Sequence, residues 1–141
     1  MGMIFQHADE ALNLNARVRD IFSGLPAKKR PAADKLYKQL QYFFDESLAD
    51  SFLDQKIAHL SGGLKQRLNI LRTFLLNTDI VILDEPLNGL DFKSMCKIID
   101  IILKMRDEGR GILVISHNEE IFDKIISEER RYYLVARESE D

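Results

Sequence analysis

The sequence has few of the features that mark secreted or membrane-spanning proteins. Its single cysteine, Cys96, cannot form a disulfide within the chain, which fits a reducing compartment. No apolar run approaches the roughly 18 residues that a membrane-spanning helix needs. The first residues carry neither a basic stretch nor a long apolar stretch, so we expect no secretory signal peptide. These absences favour a cytoplasmic protein that does not insert into a membrane.

The remaining composition is that of a globular domain. The chain has 141 residues, of which 45% are hydrophobic and 30% are charged, and this length predicts one domain with its own core. The net charge of −3 argues against nucleic acid as the main partner. His7, His59 and Cys96 do not show metal-ligand spacing, so we expect no transition-metal site.

Helical periodicity dominates the sequence up to about residue 60. After a strand that ends near residues 3–5, the spacing of apolar residues predicts helices over 14–22, from Asp34 to Phe44, and over 45–54. Ser61 is predicted to cap a further helix with an apolar stripe, which ends at Asn77.

The rest of the sequence predicts strands and helices in alternation. Residues 80–83 and 112–115 are β-branched-rich runs typical of strands buried on both faces of a parallel sheet. A helix over 92–107 joins them into a strand–helix–strand unit, and a helix near 119–127 and a strand near 132–135 follow. The predicted fold class is therefore α/β, with a helical segment followed by half of a mostly parallel sheet and its flanking helices.

One group of candidate site residues stands at the start of the helix that Ser61 caps. Ser61 supplies a hydroxyl, and Gly62 and Gly63 allow a ligand to approach the backbone closely. The unpaired N–H groups and the positive dipole of a helix start favour an anion such as phosphate. The alternative is an ordinary capped turn followed by a solvated helix face.

A second group follows the two predicted strands. Asp84 and Glu85 come directly after the first strand, and His117 follows the second, so parallel pairing places all three at one sheet edge. Adjacent acids repel each other, and a division of labour would explain the pair. Asp84 suits a Mg²⁺ ion, Glu85 suits proton abstraction from water, and His117 suits donation to a phosphate oxygen. The alternative is a set of polar caps on the strands.

In their order along the chain, these segments resemble the motifs of the ATP-binding cassette (ABC) ATPases. Residues 3–6 resemble the Q-loop, and residues 60–67 resemble the signature. Residues 81–86 resemble Walker B with its catalytic glutamate, residues 87–91 resemble the D-loop, and residues 114–117 resemble the switch-histidine loop. The resemblance implies that residues 1–141 are a partial ABC nucleotide-binding domain with a P-loop NTPase fold. Its parts would be a Q-loop region over 1–13, a helical subdomain over 14–78 and half of the α/β core over 79–141.

The same resemblance implies ATP and Mg²⁺ as cofactors. It assigns Ser61, Gly62 and Gly63 to the γ-phosphate of a nucleotide held by another domain, and Asp91 to the D-loop. Within the chain it assigns Mg²⁺ to Asp84 and Gln6, polarisation of water to Glu85, and sensing of the γ-phosphate to Gln6 and His117.

The sequence departs from the family pattern at three points. Leu64 stands where the signature usually has glutamine, and Asn118 stands where an acid usually follows the histidine. Neither change removes a group on which the implied mechanism depends. The third departure is larger, because no glycine in the chain is followed by lysine, and the P-loop that cradles the phosphates is therefore missing. We expect the chain alone to bind ATP weakly and to hydrolyse it negligibly.

The implied partners are membrane-spanning transporter subunits and a second ABC ATPase domain at the inner face of the cell membrane. The short separation between Gln6 and Ser61 fits transporter ATPases and leaves no room for the coiled coil of the DNA-repair relatives. Residues 5–13 resemble the peptide and nickel importer branch. A non-catalytic interaction module that docks on a transporter or a full ATPase is the main alternative, and a small α/β enzyme that uses Asp84 and Glu85 is another. Because the strands that lie upstream in the ABC domain are missing, we expect an exposed sheet edge or an unfilled apolar face, and therefore dimerisation or edge pairing in concentrated solution.

Overall fold

A computed structural model of the chain describes residues 2–4, 12–30, 32–44, 50–124, 126–127 and 130. Three strands, β1 (Gly2–Ile4), β2 (Ile80–Asp84) and β3 (Gly111–Ile115), form a parallel sheet in the order β1-β2-β3. The register places Asp84 opposite Ile115, so β2 and β3 end side by side. The predicted α/β class and the parallel pairing of the two later strands are confirmed.

Six α-helices accompany the sheet in the described part of the chain. They are α1 (Asp20–Ser23), α2 (Ala33–Phe44), α3 (Asp50–Asp54), α4 (Gly62–Leu76), α5 (Phe92–Asp107) and α6 (Glu119–Phe122). Short 3₁₀ turns lie at Ala27–Lys29 and Ile57–His59. Asp34 lies inside the first turn of α2 and does not precede the helix as a cap, which corrects the predicted start. The residues 45–49 of the predicted third helix, and the strand near 132–135, lie outside the described residues.

The helix predicted over 14–22 is wrong for most of its length. The backbone N–H groups of Val18 and Arg19 donate to the carbonyls of Gln55 and Leu53, each at 3.1 Å. Arg17 forms an isolated antiparallel bridge with Lys56, and only the last residues of this stretch enter α1. A distant segment thus satisfies the backbone groups that a helix would have paired locally, and sequence spacing does not reveal such a partner.

The helix that leads into the sheet has the predicted ends. Ser61 precedes α4, and its hydroxyl accepts a hydrogen bond from the Leu64 N–H at 3.3 Å. Asn77 ends the helix in the left-handed conformation with φ of 49°. Arg110 donates from Nη2 to the carbonyl of Phe74 and to Oδ1 of Asn77, each at 3.1 Å, and so binds the end of α4 to the loop before β3.

The core lies between the helical segment and one face of the sheet. Helix α4 contacts β1, α5 contacts β3, and the two helices also contact each other. The largest fully buried side chains come from every part of this arrangement: Val18, Phe43, Ile57, Leu68, Ile70, Leu71, Val81, Leu83, Ile98, Ile101 and Met105.

The other face of the sheet is uncovered in the described part of the chain. Val81 and Leu83 are fully buried, whereas Ile80, Leu113 and Ile115 are 51%, 52% and 43% exposed. Side chains alternate along a strand, and the register places Ile80, Leu113 and Ile115 on the face opposite to Val81 and Leu83, which belong to the core. The prediction of strands buried on both faces is therefore wrong for these residues. We call Ile80, Leu113 and Ile115 the open face.

Candidate functional site

The candidate site begins where β2 and β3 end. Asp84 is the last residue of β2 and lies half-buried beside the end of β3. Glu85 follows it, and its N–H donates to the carbonyl of Ile115 at 2.8 Å. Ser116 and His117 follow β3 directly. The predicted co-location of Asp84, Glu85 and His117 at one sheet edge is thus present in the structure.

The carboxylate of Glu85 is buried, and each of its oxygens accepts at least one hydrogen bond. The side chain is 8% exposed, and its Oε1 accepts from the backbone N–H of His117 at 3.0 Å and contacts Nδ1 of the same residue. Its Oε2 accepts from the hydroxyl of Ser116 at 3.3 Å. The backbone of Glu85 has φ of 45°, a left-handed conformation that is costly for a residue with a side chain. The end of β3 therefore fixes both the backbone and the carboxylate of Glu85.

His117 connects this buried carboxylate to solvent. Its side chain is 86% exposed, while the glutamate that it contacts is almost completely covered. An Nδ1 that donates to a carboxylate carries a proton, so Nε2 accepts from a second partner in the neutral ring and donates to one in the protonated ring. A ligand that binds the exposed ring is therefore linked to Glu85 through a single side chain.

The donor set at this edge fits a Mg²⁺ ion that arrives with phosphates. Among the described residues, no group of three or more His, Cys, Asp or Glu side chains is arranged to hold a metal ion. Asp84 supplies one carboxylate, and Mg²⁺ is commonly held by one or two carboxylates together with substrate phosphates and water. Gln6, the other predicted ligand, lies outside the described residues.

The three signature residues differ in their surroundings. Ser61 and Gly62 are exposed, and a Cβ built on Gly62 would meet nothing within 4 Å, so a ligand has room there. Gly63 is buried, and a Cβ at this position would lie 2.5 Å from Oγ of Ser94. The missing side chain of Gly63 thus allows close packing within the molecule, whereas its predicted use was the close approach of a ligand.

Three further residues, for which no individual role was predicted, join α4 to the segment over 86–94: Gln66, Arg67 and Ser94. Arg67 of α4 is buried and donates from Nη2 to Oγ of Ser94 at 3.4 Å, and Gln66 donates from Nε2 to the carbonyl of Pro86 at 3.3 Å. Asp91 caps α5, accepting from the N–H of Ser94 at 2.8 Å and from its hydroxyl at 3.2 Å. The Asp-x-x-Ser spacing at the start of a helix was the available signal for Ser94.

Hydrogen bonds and charge stabilise the ionised form of Asp91. The backbone N–H of Ser94 is the largest cause that lowers the pKa of this carboxyl, opposed by desolvation and assisted by the Ser94 hydroxyl and the Arg67 guanidinium. Asp91 is therefore a carboxylate at neutral pH, held at the start of α5.

Comparison with known proteins places these segments in a family context. A family model described as ABC transporter matches residues 1–88. The taurine import ATP-binding protein TauB of Ruegeria pomeroyi is 32% identical over 120 residues, which cover 84% of this chain and 44% of that protein. The galactose/methyl galactoside import ATP-binding protein MglA of Yersinia pestis is 41% identical over 90 residues, which cover 63% of this chain and 18% of that protein.

A solved structure shares the fold. The cbiO1 protein of Clostridium perfringens, described as part of the ABC transporter complex cbiONQ, superposes with a TM-score of 0.66 at 26% identity. The match covers 85% of this chain and 48% of that protein. The chain thus spans less than half the length of each of these three proteins. No helix in the described ranges combines the length and the apolar character needed to cross a bilayer.

Proposed function

Because this chain belongs to the ABC transporter family, we propose that it is part of an ATP-binding subunit that couples ATP hydrolysis to solute transport. The supporting observation is the environment of Glu85. Its buried carboxylate stands directly after Asp84 and is oriented by Ser116 and His117 of the neighbouring strand end. A general base needs a fixed position as well as a free lone pair, and this edge of the sheet supplies the fixed position.

We assign the chemistry to four residues of the chain. Asp84, together with Gln6, would hold Mg²⁺, which when bound neutralises charge on the phosphates. Glu85 would orient the attacking water and accept its proton. His117 would present its exposed ring to the terminal phosphate while its Nδ1 keeps contact with Glu85.

The start of α4 would serve a nucleotide held by another domain. Ser61 and Gly62 are exposed there, and the start of a helix carries the positive end of the helix dipole, which favours a phosphate. No glycine in this chain precedes a lysine, so the phosphates would have to be cradled by a P-loop elsewhere. We therefore propose a second ABC ATPase domain as one partner and membrane-spanning transporter subunits as the other, at the cytoplasmic face of the membrane.

The class of solute is a finer part of the proposal. The resemblance of residues 5–13 favours import of peptides or nickel, and these residues lie mostly outside the described part of the chain. The similar proteins reported above are named for taurine and for galactose and methyl galactoside. Transport assays with a dipeptide, Ni²⁺, taurine and galactose would decide between these solutes once the membrane partner is identified.

The ATPase proposal can be tested in a chimeric protein that provides the P-loop this chain lacks. A chimera would carry this chain in place of the 120 matched residues of the Ruegeria pomeroyi protein, and phosphate release would be measured with Mg-ATP. We expect turnover in the chimera, and loss of turnover but not of ATP binding in its Glu85→Gln variant. Circular dichroism would establish that both proteins are folded.

Two outcomes would contradict the proposal. A folded chimera that binds ATP but turns it over equally well with Glu85→Gln would remove Glu85 from the chemistry. A folded chimera that binds ATP without turnover would favour the alternative of a non-catalytic interaction module.

A further inference from the structure

Ser94 lies where the D-loop and the signature helix meet. It is buried, and both its backbone N–H and its hydroxyl donate to the carboxylate of Asp91, at 2.8 and 3.2 Å. Its hydroxyl oxygen also accepts from Nη2 of Arg67 at 3.4 Å. One small side chain thus makes hydrogen bonds to both elements at once.

Gly63 provides an independent observation on the same contact. A Cβ at Gly63 would lie 2.5 Å from Oγ of Ser94, closer than a real Cβ approaches a non-bonded atom, and 3.1 Å from Cβ of Ser94, which is a tight contact. A Cβ at the neighbouring Gly62 would meet nothing within 4 Å. The start of α4 is therefore packed directly on Ser94, and only a glycine at position 63 permits this distance.

Charge favours the same arrangement. Arg67 lies one helical turn after Gly63, so both face Ser94 from the same side of α4. The Arg67 guanidinium also attracts the carboxylate of Asp91 across the Ser94 hydroxyl. Packing, hydrogen bonding and electrostatic attraction thus converge on one side chain.

We propose that Ser94 is a positioning residue that fixes the signature residues Ser61, Gly62 and Gly63 relative to the carboxylate of Asp91. This inference rests on the proposed function, in which the signature residues meet a nucleotide on another domain. Held by Ser94, the signature and the D-loop approach that domain as one rigid unit. A displacement of either is transmitted to the other.

The first test measures the coupling between Gly63 and Asp91 in this chain alone, without nucleotide. The pH titration of Asp91 would be followed by NMR at its side-chain carboxyl carbon and at the amide of Gly63. In the unmodified chain we expect both signals to report the same titration. In Ser94→Ala we expect the titration to disappear from the Gly63 amide, while the dispersed spectrum shows that the fold persists.

Gly63→Ala changes the α4 side of the contact between Gly63 and Ser94. Its new methyl group must displace Ser94, so we expect the pKa of Asp91 to rise towards the ordinary carboxyl range, whereas Gly62→Ala leaves this pKa unchanged. In a double-mutant cycle with Ser94→Ala, Gly63→Ala should destabilise the chain less than it does alone, because the clashing oxygen is absent. The proposal is overturned if the Gly63 amide still follows Asp91 in Ser94→Ala, or if the two substitutions are additive.

The second test reads function in the chimera described above. A misplaced signature weakens the productive arrangement more than it weakens nucleotide binding at the P-loop, so we expect Ser94→Ala to lower kcat with little change in KM. Ser51→Ala, at an exposed position in α3, is the matched control. An unchanged kcat in Ser94→Ala would contradict the positioning role. A failure of the ATPase proposal would instead appear as an inactive chimera, with the NMR coupling in the isolated chain intact.

Discussion

The imidazole Nδ1 of His117 contacts Oε1 of Glu85, and the backbone N–H of His117 donates to the same oxygen at 3.0 Å. A solvent-exposed ring is in this way tied to a carboxylate that is almost completely buried. Since Glu85 also donates its N–H to the end of β3, the glutamate cannot move independently of the loop that carries His117. The two residues therefore form one unit, and substitutions should affect them together.

The isolated chain should show no ATP turnover above the background rate. It has no glycine–lysine pair to cradle the phosphates, so Glu85 has no correctly held substrate to act on. In the chimera, by contrast, Glu85→Gln should lower kcat by about 10²–10⁴, the usual contribution of a general base. Phosphate release by the purified proteins measures both. ATP turnover by the isolated chain that persists through purification and disappears in Glu85→Gln would contradict the expectation that this chain alone is inactive.

Removal of the Ser116 hydroxyl should impair the chimera moderately. Ser116 donates to Oε2 of Glu85 and accepts from the N–H of Asn118, at 3.3 and 3.0 Å. A hydrogen bond to a charged group contributes about 1.5–3 kcal/mol, so Ser116→Ala should lower kcat by roughly tenfold or more. Ser116→Thr keeps the hydroxyl and should restore most of the activity. Equal activity of the alanine and threonine variants would remove the hydroxyl from the mechanism.

Asn77 should tolerate glycine better than alanine. Its φ of 49° is left-handed, a conformation that costs an L-residue with a Cβ about 1–2 kcal/mol. Asn77→Ala should therefore lower the free energy of unfolding by about 1 kcal/mol, and Asn77→Gly should lower it less. Both variants lose the bond from Arg110, which makes the pair a matched comparison. Urea denaturation gives the difference, and an alanine variant as stable as the glycine variant would contradict this expectation.

Stability should depend on the ionisation of Asp91 in acid. The Ser94 N–H lowers the pKa of Asp91 in the folded chain, so the unfolded chain binds its proton at higher pH. The resulting stabilisation is fully present above the unfolded carboxyl pKa of about 3.9 and is lost as the pH falls through the lower folded value. The difference in unfolding free energy between the unmodified chain and Asp91→Asn should accordingly shrink with falling pH. A difference that is constant between about pH 2 and pH 6 would exclude this linkage.

The open face should promote self-association of the isolated chain. Ile80, Leu113 and Ile115 are each at least 43% exposed on adjacent strands, and contiguous apolar surface favours association in water. Leu113→Lys should shift the equilibrium towards the monomer, as measured by light scattering over a range of concentrations. Tyr37→Lys, at a 50% exposed position on α2, is the control and should leave association unchanged. A monomeric unmodified chain at high concentration would contradict the prediction.

Local signals in the sequence predicted the central part of the fold well. Ser61 at the start of α4, Asn77 at its end, and the apolar spacing of α5 correspond to the elements that the structure contains. They do so because caps and helical periodicity act over a few residues, and their physical cause lies within the same short segment. The edge that joins Glu85 to His117 also followed, since parallel pairing brings the ends of β2 and β3 together.

Contacts between distant segments were decided only by the tertiary structure. The stretch around Val18 pairs its backbone with residues near Gln55 and does not form the predicted helix. The position of Ser94 against Gly63 and Arg67 depends on how α4 and α5 pack, and neither helix alone reveals it.

The sequence by itself determined the order of the motifs, the local elements and the chemical character of each candidate residue. These depend on residue type and short-range spacing, which a sequence states directly. Only the tertiary structure decided that Gly63 packs on Ser94, that the carboxylate of Glu85 is oriented by Ser116, and that the open face is uncovered in the described chain. These depend on which surfaces meet when helices and strands pack, and that is settled by contacts between residues far apart in the chain.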